Sequence, residues 1–185
     1  MRVLGIDPGS EVTGWGVVEG DANGRSYRLI EFGAIRLASG STFSSRLLKI
    51  SRALDEVITR LKPDACAIEE VFLATNPKVT LKLGQVRGVA LLAAESAALE
   101  IGEYAPRSIK QTVAGYGNAE KRQVQEMVRL LLSLPAIPEP HDAADALAVA
   151  ICHFHHAGIT RRLAAAQALK TNAAAVGSSR RRSLR

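Results

Sequence analysis

Four acidic residues, Asp7, Glu69, Asp142 and Asp145, stand where carboxylates are costly unless a cation shares their space. Asp7 ends the apolar run Val3-Leu4-Gly5-Ile6 and precedes Pro8-Gly9, a strong turn signal. Glu69 ends a second apolar run, Ala65-Cys66-Ala67-Ile68, with Glu70 beside it. Strand alternation points these two glutamates to opposite faces, so only one of them can join Asp7. Asp142 and Asp145 open an apolar helix three residues apart and share one of its faces. Converging, such oxygens form a hard-ligand site of the kind Mg²⁺ or Mn²⁺ occupies.

Each acid also has a plainer role. Asp7 alone reads equally as a turn-forming residue before Pro8. Asp142 and Asp145 suit the positive end of a helix dipole. The dipole does not require two acids on the helix face that Ala146, Leu147, Val149 and Ala150 mark as buried, and together the four favour ligation. No serine, cysteine or histidine shows the spacing of a nucleophilic triad. The chemistry expected is metal-assisted hydrolysis. His141 is a candidate outer partner of the acids, although a lone histidine at a helix start is more often a surface residue.

The acids need elements to carry them. Arg2 to Asp7, Val12 to Glu19 and Tyr27 to Leu37 read as strands of a meander, with turns at Pro8-Gly9 and Asp21 to Gly24. Phe43 to Leu61 has helical spacing at Leu47, Leu48, Leu54, Val57, Ile58 and Leu61. Ala65 to Glu70 is a short apolar strand of the central parallel type. Asn76 to Leu99 is a long helix in which Gly84 and Gly88 permit close approach, either to the sheet or to another subunit. A strand at Ile101 to Pro106, helices at Ser108 to Ala114 and Ala119 to Leu134, and a final helix at His141 to Ala157 follow. The pattern predicts an α/β fold: a mixed sheet, three antiparallel strands then parallel strands, with helices on both faces. The first and fourth strands, parallel and adjacent, would bring Asp7 and Glu69 side by side at their carboxyl ends.

Composition narrows the function class. A chain of 185 residues with 47% hydrophobic residues supports one well-cored domain, expected over residues 1–157. No apolar run is long enough to cross a bilayer, and the N-terminus has no signal-peptide pattern. Cys66 and Cys152 read as buried apolar residues, which fits a cytosolic protein. The net charge of +6 suggests nucleic acid, yet its distribution qualifies that reading. Residues 158–185 hold seven basic and no acidic residues, so residues 1–157 carry 17 basic and 18 acidic ones. DNA affinity of the globular part must therefore come from a local patch. The Ala/Arg/Ser-rich segment 158–185 has no packing face and is expected to be a disordered basic tail.

Seven motifs make the reading specific. Gly5-Ile6-Asp7-Pro8-Gly9-Ser10, Thr13-Gly14, Ala67-Ile68-Glu69-Glu70-Val71-Phe72 and Leu81-Lys82-Leu83-Gly84-Gln85-Val86-Arg87-Gly88-Val89 resemble the RuvC family of Holliday-junction resolvases. So do Lys110-Gln111-Thr112-Val113, Ala119-Glu120-Lys121 and Asp142-Ala143-Ala144-Asp145-Ala146-Leu147-Ala148, in order and covering residues 1–157. The resemblance implies an RNase H-like fold, a homodimer, and paired symmetric nicks in a four-way DNA junction during recombination and repair. It selects Glu69 over Glu70, and makes Asp7, Glu69, Asp142 and Asp145 catalytic ligands of two Mg²⁺ ions, with Mn²⁺ as a substitute. It places Lys110 and Lys121 near the scissile phosphate, and implies products with a 5′-phosphate and a 3′-hydroxyl. A RuvA–RuvB branch-migration complex is the partner it implies.

Binding must overcome repulsion between the acids and DNA phosphates. Candidate contacts are Lys78, Lys82 and Arg87 on the long helix, with Arg107, Lys110, Lys121 and Arg122 around the loop Gly115-Tyr116-Gly117. About half of such a set are expected to be ordinary solvated charges. Phe72 and Tyr116 are candidates to stack on bases of an opened junction, and Trp15 is expected in the core. Two other readings stay open: an RNase H-like nuclease of different substrate preference, and a junction-binding scaffold that does not cleave. A sugar kinase or actin-like ATPase, which opens with similar turns, needs a second domain for which the chain has no room.

Overall fold

The computed structural model describes residues 1–21, 26–71 and 76–158. In chain order these form β1 (Arg2–Asp7), β2 (Val12–Gly20), β3 (Tyr27–Arg36), α1 (Phe43–Leu61), β4 (Ala65–Glu69), α2 (Pro77–Ser96), β5 (Glu100–Tyr104), α3 (Pro106–Ala114), α4 (Lys121–Leu131) and α5 (residues 141–158). The turn expected at Asp21 to Gly24 lies mostly outside the described residues; Phe72 and residues 159–185 lie wholly outside them.

The sheet order is β3-β2-β1-β4-β5. β1 runs antiparallel to β2 and β2 to β3, whereas β4 is parallel to both β1 and β5. This is the mixed sheet that the strand pattern predicts. Apolar residues fill both faces: Leu4, Ile6, Trp15, Cys66 and Ile68 pack under α1 and α2. On the other face Val3, Val18, Ala65 and Ala67 pack under α3, α4 and α5.

Local signals set the helix ends. Thr42 caps α1 by accepting from Ser45 N at 3.2 Å, and Lys62 closes it in the left-handed region before Pro63. Asn76 caps α2 by accepting from Lys78 N at 3.0 Å, with Pro77 at the first helical position. The last strand stops at Tyr104 because Pro106 starts α3, two residues earlier than the Ser108 start expected. α2 ends at Ser96 rather than Leu99, where Ala98 turns left-handed.

α5 is the element that organises the rest. It is buried almost throughout from Ala143 to Phe154 and lies on β1 and β2 where the strands have glycine. A Cβ built at Gly5 would stand 2.0 Å from Ala146 O and 2.8 Å from Ala150 N. One built at Gly14 would stand 1.9 Å from Asp142 O. At Gly16 it would meet the Leu147 side chain at 2.5 Å. Helix backbone therefore rests directly on strand backbone, a contact that admits no side chain. Gly14 is also the register partner of Asp7, so the same contact sets the height of Asp142 beside Asp7.

Gly5→Ala should cost about 3 kcal/mol or more, because the clash is with backbone that no rotamer relieves. Gly88→Ala, with nothing of its own chain within 4 Å, should be neutral or stabilise its helix by about 0.5–1 kcal/mol in protein dilute enough to be monomeric. Urea unfolding midpoints of the two variants check this contrast.

Candidate active site

β1 and β4 are parallel neighbours with Ile6 opposite Ile68, so Asp7 and Glu69 emerge side by side at the carboxyl ends of the central strands. α5 enters from the same end and presents Asp145 and, a turn earlier, Asp142. Asp7, Glu69 and Asp145 line a cleft of about 300 Å³ together with Lys110 of α3 and Lys121 of α4. Pro106, Ile109, Val124 and Ala148 make its apolar wall. Asp142 stands behind this lining, near enough for its charge to act on Asp7.

The electrostatics follow from crowding. Burial, then the charges of Glu69, Asp145 and Asp142, push the Asp7 carboxyl up to about 8. Protonated, Asp7 donates a hydrogen bond to Glu69. Burial raises Glu69 as well, partly offset by that hydrogen bond and by the charges of Lys121 and Lys110. The Lys121 Nζ lies 2.6 Å from Asp145 Oδ2. Burial works against the lysine charge, but Asp145 and the neighbouring acids outweigh it and hold its pKa above the ordinary value. The shared proton and Lys121 offset only part of the acids' charge.

Among the described residues no three His, Cys, Asp or Glu side chains close into a metal-ligand cluster as they stand. Asp7 is engaged by Glu69, and Asp145 by Lys121. The donor chemistry nevertheless fits a hard divalent cation, since every acid at the cleft offers carboxylate oxygen and the group repels itself. Thiol chemistry does not fit: burial pushes Cys66 up to about 12 and Cys152 up to about 11, and both are buried.

The other candidates divide. Lys110 and Lys121 reach the cleft. Lys78, Arg107 and Arg122 are exposed, and Lys82 lies 5.8 Å from the centre of the Phe43 ring. Arg87 is taken up by an ion pair with Glu103 of β5 and is 27% exposed, so it serves the fold first. Tyr116 is 43% exposed, and its hydroxyl donates to Gln123 Oε1 at 2.6 Å. His141 is exposed, Trp15 is core, and Glu70 uses its backbone N–H to bind Tyr104 O.

One device escaped the sequence reading. Gln123 Oε1 also accepts from Glu120 N at 2.9 Å, forming a capping box that starts α4 at Lys121 rather than Ala119. The Glu-Lys-Arg-Gln spacing carries that signal. Gln123 thereby ties the glycine-flanked Tyr116 to the helix start that holds Lys121 beside Asp145.

This geometry has close counterparts. The family profile described as crossover junction endodeoxyribonuclease RuvC matches residues 3–153. The crossover junction endodeoxyribonuclease RuvC of Chloroflexus aurantiacus is 51% identical over 162 residues, spanning 88% of this chain and 98% of that protein. Its counterpart in Koribacter versatilis is 50% identical over 163 residues, with coverage of 88% and 98%. The solved structure of T. thermophilus RuvC in complex with a Holliday junction substrate matches with a TM-score of 0.80 at 35% identity, covering 86% of this chain and 96% of that one. A yeast mitochondrial Holliday junction resolvase shares the fold at 16% identity, with a TM-score of 0.63 and coverage of 89% and 83%. With an RNase H-like mixed sheet, the acids at its centre and a match along nearly the whole described domain, the chain belongs to the RuvC family of crossover junction endodeoxyribonucleases.

Proposed function

We propose that this protein cuts four-way DNA junctions by Mg²⁺-dependent hydrolysis of phosphodiester bonds, acting as a homodimer. The observation that carries the reading is the convergence of Asp7, Glu69 and Asp145 with Lys110 and Lys121 in one cleft, Asp142 behind them. Asp7, Glu69, Asp142 and Asp145 would hold the ions, with Mn²⁺ as a substitute. When bound there, such ions would supply Lewis-acid chemistry, lowering the pKa of an attacking water and stabilising charge on the leaving 3′-oxygen. Lys110 and Lys121 attract and orient the scissile phosphate, and Lys121 releases Asp145 as it turns to the phosphate. The apolar wall of Pro106, Ile109, Val124 and Ala148 keeps bulk water from that side and strengthens each charge interaction. Lys78, Lys82, Arg107 and Arg122 hold flanking backbone, and Tyr116 stacks on an unpaired base. Phe72, outside the described residues, is assigned the same stacking role on the family resemblance.

The dimer reading rests on α2. Leu81, Gly84, Gly88 and Leu92 form one stripe along it, with Leu81 69% and Leu92 65% exposed. A Cβ at either glycine meets nothing within 4 Å among the described residues, so the glycines do not serve packing against the sheet. A second copy of the helix can approach closely there and cover the leucines. Among the described residues no helix is long and apolar enough to cross a membrane; the cytoplasm is the location that a junction-cutting DNA enzyme implies. A RuvA–RuvB complex is the branch-migrating partner this reading implies.

Three outcomes test it. Asp7→Asn and Asp145→Asn should each lower nicking of a synthetic four-way junction by at least about 10²-fold while binding survives, because neither change adds negative charge to oppose the phosphates. Equal cutting of junction and linear duplex by the wild type would point to a general nuclease, and tight junction binding without a nick to a scaffold. Leu81→Glu with Leu92→Glu should turn the dimer into a monomer in sedimentation velocity and uncouple the paired nicks.

The third outcome follows from the acid crowding. A carboxyl whose folded pKa is raised stabilises the fold below its unfolded pKa, and that contribution is lost as pH rises through the folded value. For Asp7 the window runs from 3.8 to about 8. In EDTA, wild-type melting temperature should fall relative to Asp7→Asn across that window, with the largest gap near its top. Mg²⁺ should narrow the gap by stabilising the wild type alone.

A further inference from the structure

The globular part carries slightly more acidic than basic residues, so any duplex held beyond the cleft needs a local set of cations. The cations so far assigned lie on α2, α3 and α4. A second set gathers on the opposite flank of the sheet, between its edge strand β3 and α1. Two adjoining hollows there share Lys49, Ala53 and Glu56 and together make a groove; Arg36 lines one and Arg52 the other, and all three cations are exposed. Arg46 stands one turn nearer the start of α1, in line with Lys49 and Arg52 at a spacing of three residues. Ala34, Ile35, Ala53 and Val57 form the floor.

Three features point to a use. First, none of these four cations makes an ion pair among the described residues, although Arg2, Arg28, Arg60, Arg87, Lys121 and Arg129 all do. Glu56 is the single acid in the groove lining, and the Arg60 that shares the lining is already paired with Glu31. Lys49 is held in place, its Nζ donating to Arg36 O at 2.7 Å.

Second, the groove opens at the active-site end. β3 runs parallel to β1, with Ala34 opposite Gly14 and Gly14 opposite Asp7. Sheet spacings then put Arg36 about 12 Å from Asp7, within one turn of duplex, about 34 Å. Third, the groove is continuous with a cation already assigned to backbone binding: Lys82 of α2 sits over Phe43, the first residue of α1 and one turn before Arg46.

We propose that the β3–α1 groove is a second phosphate track, in which Arg36, Arg46, Lys49 and Arg52 hold the sugar-phosphate backbone of the duplex arm that leaves the cleft past Lys82. The assignment rests on the DNA-cleavage reading above and extends it to a surface that no catalytic group reaches. It accounts for how a domain with a net acidic count retains a duplex arm. It also places the added affinity away from the repelling acids.

The test compares wild type with the triple variant Arg36→Gln, Lys49→Gln and Arg52→Gln, whose exposed side chains leave the melting temperature unchanged. Equilibrium binding is measured against salt on a linear duplex and on a four-way junction with arms of about 20 base pairs. Each lost phosphate contact lowers the slope of log affinity against log salt by about 0.9, so a drop of about 2–3 is expected on both substrates. Affinity near 0.1 M salt falls at least about 10-fold, nicking at saturating junction is unchanged, and hydroxyl-radical protection of the arm retreats towards the cut. Unchanged slopes and an unchanged footprint would overturn the proposal and leave the cations as solvated surface. A wild type that binds junction no better than duplex would defeat the junction reading instead, and the duplex slopes would still decide the groove.

Discussion

Everything at the centre of this molecule depends on α5 lying against strand backbone. A helix on a sheet is ordinarily held off by side chains from both elements. Here Gly5, Gly14 and Gly16 remove the strand's share, and alanines on α5 reduce the helix's share. The consequence is positional. Asp142 O comes down over Gly14, the strand residue paired with Asp7, and Asp145 follows into the cleft. A larger residue at Gly5 or Gly14 would lift α5 and its two acids together, and one at Gly16 would displace the Leu147 side chain. Packing and site geometry are thus one constraint.

That constraint creates an electrostatic problem which the surrounding elements partly resolve. Parallel strands end with their side chains close together, so Asp7 and Glu69 are neighbours whatever their ionisation. Burial, with the charges of Glu69 and then Asp145, drives Asp7 to hold a proton that it donates to Glu69. Lys121, fixed at the first position of α4 by the Glu120–Gln123 capping box, supplies positive charge at Asp145. The arrangement has a cost in stability at neutral pH, where an isolated aspartate would be ionised. A divalent cation bound as proposed would relieve the same repulsion that the proton and lysine offset. Sites of this kind trade folding free energy for a prearranged charge deficit that a ligand fills.

The strands and helices were legible because most of them bury one face. α1 begins and ends where its apolar spacing, Thr42 cap and Pro63 say it should. β1 and β4 read as wholly apolar runs because they are covered on both sides. The four acids were legible because Asp7 and Glu69 end such runs and Asp142 and Asp145 open an apolar helix on its buried face. What the sequence hid depends on contacts between distant elements. The strand pattern assigns no role to Gly5, Gly14 and Gly16, which follows only from α5 resting on them. Arg87 looked like a free helix cation until β5 brought Glu103 to it. Gly84 and Gly88 could equally have faced the sheet, and only the packed structure leaves them open. The cations of β3 and α1 are separated by a loop in sequence and read singly as solvated charges. Their grouping exists only once α1 folds back along the edge strand.

The distribution of charge then explains why the fold needs more than one binding surface. A cleft that must collect acids cannot also be the main source of affinity for a polyanion. Repulsion at the reacting phosphate is useful there, because it is relieved only when cations and phosphate arrive together. Affinity has to be supplied elsewhere, at distances where the acids are screened. At physiological salt that distance is about 8 Å. Lys110 and Lys121 lie inside that range and are partly spent on neutralising the site. Lys78, Arg107 and Arg122 are exposed outside the cleft lining, and Arg36 lies about 12 Å away by the sheet spacing. Cations placed outside the cleft lining add to binding without being drawn into neutralising the acids. A domain built this way separates recognition from chemistry by charge placement alone, although both are carried by one sheet.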